Sequence, residues 1–98
     1  MWWKRRGATG VRRLLMEGWD PIGVAEIPEA ADEYDTYVGA VGRMLREGRS
    51  ADEIHAYLTF VRVDRIGLGR LPGWEEREQI VADRLANWYA DEMRGAGE

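Results

Sequence analysis

Tyr34-Asp35-Thr36-Tyr37-Val38-Gly39-Ala40-Val41-Gly42-Arg43-Met44-Leu45-Arg46-Glu47-Gly48-Arg49-Ser50-Ala51-Asp52-Glu53 is the stretch that decides how this chain folds. Tyr34, Tyr37, Val38, Val41, Met44 and Leu45 recur at three- and four-residue spacing, which places them along one face of a helix. Arg43, Arg46 and Glu47 fall on the other side. Gly48 follows the last periodic residue, where a left-handed backbone ends a helix at least strain. Ser50 and Glu53 then stand at capping-box spacing, each side chain able to satisfy the other's backbone N–H. One helix therefore stops and another starts within a very tight turn, and the two are expected to pack antiparallel.

Upstream, Pro28 prefaces this helix and Glu29, Asp32 and Glu33 fill its first turns, where carboxylates favour the helix dipole. The spacing predicts a helix over 29–47. Before it lies Trp19-Asp20-Pro21-Ile22-Gly23-Val24, which matches a type I turn position by position. Asp20 can accept the Ile22 backbone N–H, and Pro21 pre-sets its own φ while leaving no donor stranded. Val11, Leu14 and Leu15 indicate a first helix over 10–18. Downstream, Ile54, Tyr57, Leu58 and Val61 predict a third helix over 51–65, against which the alternation at 60–63 gives a strand the weaker claim. Gly67, Gly69, Pro72 and Gly73 break the chain before Trp74, Ile80, Val81, Leu85, Trp88 and Tyr89 mark a fourth helix over 73–93. The expected fold is all-α: a single small four-helix domain over 10–94, with a structured WDPIG loop between helices 1 and 2. Residues 1–9 read as a loose basic tail.

Composition removes most chemistries. The chain has 98 residues, 45% hydrophobic and 33% charged, which suits one small globular domain and argues against disorder. It has no cysteine, which excludes disulfides, thiolate zinc sites and cysteine nucleophiles. Its one histidine, His55, lies at the edge of an apolar face and leaves little for a metal site or a proton relay. The single serine, Ser50, is accounted for as a cap, and Thr9, Thr36 and Thr59 have no identifiable base. Glu29, Asp32, Glu33 and Asp35 cluster within two turns, but no Glu-x-x-His pair accompanies them and the helix dipole suffices to explain them. Gly67-Leu68-Gly69 follows a helix rather than a strand, the wrong context for a nucleotide loop. No cofactor, no metal and no enzymatic activity is expected.

Nor does a membrane segment emerge, since nowhere do about 18 apolar residues run together. Lys4-Arg5-Arg6 after Trp2-Trp3 reverses the order of a signal peptide. Thirteen of the fourteen basic residues are arginine, a bias typical of a GC-rich genome. The reading is a cytoplasmic bacterial protein.

The charge is segregated. Lys4, Arg5, Arg6, Arg12 and Arg13 give residues 1–16 a local +5, and Glu17, Asp20, Glu26, Glu29, Asp32, Glu33 and Asp35 give residues 17–35 a local −7. The basic segment with Trp2 and Trp3 has the look of a nucleic-acid element. Against it stand the net charge of −4 and a third helix whose bases, Arg62 and Arg65, come late rather than at its start. Protein binding remains. Asp20, Glu29, Asp32, Glu33 and Asp35 would pair with a basic partner, while Trp19, Tyr34 and Tyr37 line or support the patch, the core being their simpler place. Two alternatives stand beside this one: self-association through Trp74, Trp88 and Tyr89, and a small metal-dependent enzyme built on the acidic cluster.

Trp19-Asp20-Pro21-Ile22-Gly23-Val24 followed by Glu33-Tyr34-Asp35-Thr36-Tyr37 resembles a family of small bacterial all-helical proteins of unknown function, marked by a WDPIG turn and an EYDxY segment. Leu14-Leu15-Met16-Glu17-Gly18 and Ile54 through Leu58 fit the same pattern, which spans residues 11–90 and is most specific at the turn. Residues 1–9 stand outside it. Similar small proteins occur among immunity proteins that neutralise a toxin encoded beside them. The resemblance therefore implies an inhibitor whose acidic patch meets a basic toxin.

Overall fold

The computed structural model describes residues 2–19, 31–65, 67 and 72–96, with the backbone only at 31–33 and 96. Helices are the only regular structure among them: α1 (Ala8–Gly18), α2 (Ala31–Arg46), α3 (Ala51–Phe60) and α4 (Trp74–Ala96). Among the described residues the fold is all-α with four α-helices, as the periodicity predicts. The turn residues Asp20 through Val24 lie outside the described residues.

Two π-helical turns extend the scheme. Trp3–Gly7 runs directly into α1, and Val61–Arg65 continues α3. Residues 3–9, read from composition as a loose tail, are therefore helical. Their glycines are what the composition reading missed: Gly7 is buried, and the rings of Trp2 and Trp3 occupy the space that a β-carbon there would need.

The chain divides into two compact units, Met1–Gly48 and Arg49–Glu98, so the boundary falls at the Gly48 turn inside the span read as one domain. The α2 and α3 helices, expected to pack together, lie on either side of it. Helix pairing is described within each unit, α1 with α2 and α3 with α4.

In the first unit Val11, Leu14 and Leu15 of α1 are buried, as are Tyr34, Tyr37, Val38, Val41 and Leu45 of α2. Trp19 closes this core, its ring 6.4 Å from those of both Tyr34 and Tyr37 and edge-on to the second. The helices run antiparallel, because Arg12 meets Asp35 while the earlier Trp3 meets Gly42. Gly48, at φ 77°, takes the left-handed conformation that ends α2. Its N–H donates to the Leu45 carbonyl at 3.1 Å.

The second unit opens on the expected cap. The Glu53 N–H donates to Ser50 Oγ at 3.2 Å, and the Ser50 N–H donates to Glu53 Oε1 at 3.2 Å. Ile54, Leu58 and Val61 are buried in this unit, as are Val81, Ala82 and Leu85 of α4.

Candidate functional site

Of the eight residues assigned to a partner surface, Asp20 and Glu29 lie outside the described residues. Asp32 and Glu33 fall in the first turn of α2, where backbone alone is described. Asp35, one turn on, is exposed and forms an ion pair with Arg12 of α1. The Arg12 guanidinium also lies 5.7 Å from the centre of the Tyr34 ring, a cation–π distance. The outward carboxylate of α2 is thus met by an arginine of the same unit.

The aromatics take the simpler of their two places. Trp19 is 1% exposed, Tyr34 0% and Tyr37 6%, so they do not line a surface. Their spacing on the apolar stripe of α2, together with Trp19 one turn past Leu15, directs all three inward. They pack together where α1 ends and α2 begins.

Beside the Arg12–Asp35 pair lies an open cavity of about 300 Å³ whose lining includes Trp3, Thr9, Val38 and Gly39. A β-carbon on Gly39 would meet nothing within 4 Å, so this glycine leaves the groove open. Gly42, one turn further along α2, does the reverse: the Trp3 ring sits where its side chain would be. The Arg46 guanidinium covers that ring at 4.7 Å and donates from Nε to the Gly42 carbonyl at 3.2 Å.

A buried ion pair in the second unit was not legible as such. Arg62 is 2% exposed and Glu78 0%. Arg62 Nε donates to Glu78 Oε2 at 2.8 Å and Nη2 to Oε1 at 3.1 Å, while Thr59 Oγ1 donates to Oε1 at 3.0 Å. The hydrogen bond that Arg62 donates to Glu78 is the leading cause that raises the Arg62 pKa above its ordinary value, so the guanidinium stays charged. One signal could have found the pair: Trp74, Glu78, Val81, Leu85 and Trp88 share one helical stripe, with Glu78 the sole charge on it. The π-helical turn beginning at Val61 carries Arg62.

Among the described residues no three side chains of the metal-ligating types stand together. No described helix is long and apolar enough to cross a membrane. No protein-family model matches the chain, and no curated protein or solved structure matches it significantly.

Proposed function

We propose that this chain is a non-enzymatic protein-binding module of the cytoplasm, and specifically an immunity-type inhibitor that captures a basic toxin through the acids of residues 17–35. The observation that carries the reading is the run of seven carboxylates without a base from Glu17 to Asp35. Charge of one sign concentrated on a short segment speeds encounter with an oppositely charged partner and orients it. The buried Trp19, Tyr34 and Tyr37 cluster supports the reading by fixing the first turns of α2, so that little order is lost on binding. The Arg12–Asp35 pair is compatible with it. Both side chains are more than a third exposed, and such pairs are worth about 1 kcal/mol or less. A partner arginine can take the place of Arg12 at small cost. The WDPIG and EYDxY segments resemble those of a family of small helical proteins of unknown function, and the occurrence of similar small proteins among immunity proteins supports the inhibitor form of the proposal.

The test is co-expression with the product of the neighbouring gene. The intact chain is expected to restore growth, and the triple variant Asp32→Lys/Glu33→Lys/Asp35→Lys is expected to lose that protection while keeping its helical circular dichroism. Protection by the triple variant equal to that of the parent chain would remove the acidic surface from the mechanism.

A second reading is favoured by exposed apolar side chains in the second unit. Phe60 is 46% exposed, Val63 37% and Ile80 59%, and Trp74, Trp88 and Tyr89 are half-buried. Such side chains suit self-association. Light scattering decides it: a mass rising with concentration, and lowered by Ile80→Lys but not by the acidic substitutions, would favour a homo-oligomer.

A further inference from the structure

The basic segment at the start of the chain is not isolated once folded. Trp3 seats on Gly42 beneath the Arg46 guanidinium, which carries Lys4, Arg5 and Arg6 to the same end of the first unit as Arg43 and Arg46. Lys4, Arg5 and Arg43 are exposed, and none of them has an acidic partner among the described residues. Glu47 is the described acid at that end.

Helix electrostatics account for only two of these five residues. Arg43 and Arg46 lie in the last turn of α2, where the dipole favours cations. Lys4, Arg5 and Arg6 open the continuous helix that runs on through α1, and its first turn holds no acid. The dipole there disfavours cations. Lys4 and Arg5 are therefore held where the helix dipole opposes them, beside Arg43 from a distant part of the sequence. An external anion at this end would offset that repulsion.

We propose that this end of the first unit binds the phosphate backbone of double-stranded nucleic acid without sequence preference. A backbone ligand fits because the rings are already committed. Trp3 is held between Gly42 and Arg46, and Trp2 packs 6.2 Å from it against Gly7. Neither is left as a free platform for stacking the bases of a single strand. A lipid surface fits less well, because an interfacial helix must bury a free apolar face. That of α1, Val11, Leu14 and Leu15, is spent on its own core. Arginine suits phosphate through its forked donors, and a duplex presents phosphates at the highest density.

Fluorescence anisotropy of the full chain with labelled duplexes of about 20 base pairs and unrelated sequences tests this. Affinity is expected to be the same for both sequences and to fall roughly a hundredfold between about 50 and about 200 mM salt, as for about four phosphate contacts. Lys4→Glu and Arg43→Glu, both at exposed positions, are each expected to weaken binding at least about tenfold and to lower the salt slope by about one. Arg84→Glu, exposed in the second unit, is expected to change nothing. No binding at low salt would overturn the proposal, as would binding indifferent to Lys4→Glu and Arg43→Glu. Competition by poly-glutamate equal to that of duplex at matched charge would overturn the phosphate assignment. Binding to phosphatidylserine vesicles with no binding to duplex would place a membrane there instead.

Discussion

Gly42 and Gly39 sit one turn apart on the same helix and answer to opposite constraints. At Gly42 an added β-carbon would overlap the Trp3 ring, whereas at Gly39 it would enter open space. Alanine normally stabilises a helix interior over glycine by about 1 kcal/mol. Gly39→Ala is accordingly expected to raise the urea midpoint, by about 0.5–1 kcal/mol in stability. Gly42→Ala is expected to lower it by about 1–3 kcal/mol, because the ring must leave its seat. In a Trp3→Ala background the Gly42→Ala loss should vanish, which isolates the contact as the cause. Arg62 and Glu78 pose a sharper problem of pairing. Arg62→Met leaves a carboxylate buried without its cation and is expected to destabilise by about 3–5 kcal/mol. The double change Arg62→Met/Glu78→Leu should recover most of that loss in thermal melts, since an apolar pair needs no mutual neutralisation.

The α3 helix is set at its start by side chains rather than by burial. Ser50 and Glu53 satisfy backbone donors reciprocally, and Arg49 Nη1 donates to Glu53 Oε2 at 3.1 Å. The Ser50 backbone hydrogen bond is the first cause that holds the Glu53 carboxyl below the usual glutamate range. A depressed carboxylate contributes its stabilisation above the unfolded pKa and loses it as pH falls through the folded one. The protection of amides at the start of α3, corrected for their intrinsic exchange rates, is therefore expected to fall as the solution is acidified below the ordinary glutamate range. Ser50→Ala should cost about 0.5–2 kcal/mol at neutral pH but keep the backbone donor, whereas Glu53→Gln removes the titrating group and should abolish that pH response. An unaltered response in Glu53→Gln would assign it to another carboxylate.

For the whole chain, what matters is where its segregated charge goes. Over residues 1–35 basic and acidic residues lie in separate blocks, and folding adds Arg43 and Arg46 to the first block through the Trp3–Gly42 contact. Capture of a basic protein by residues 17–35 should weaken as salt rises, since exposed charges are screened beyond about 8 Å at physiological ionic strength. Association rates measured by stopped flow between the chain and its neighbouring gene's product are expected to fall with salt while dissociation changes little. Rates indifferent to salt would mean that apolar contact, not the acids, guides the encounter.

The fold class was legible in the sequence because its signals are local. Three- and four-residue spacing, Gly48 and the Ser50–Glu53 box each act within one or two helical turns, and each stands where it was read. The inward direction of Tyr34 and Tyr37 followed from the same stripe. Three features were settled only by the tertiary structure: the helical course of residues 3–9, the seat of Trp3 on Gly42, and the burial of Arg62 with Glu78. Each depends on residues far apart in the chain. A charge on a helix has no fixed value until it is known which ring, glycine or opposite charge the neighbouring helix presents to it.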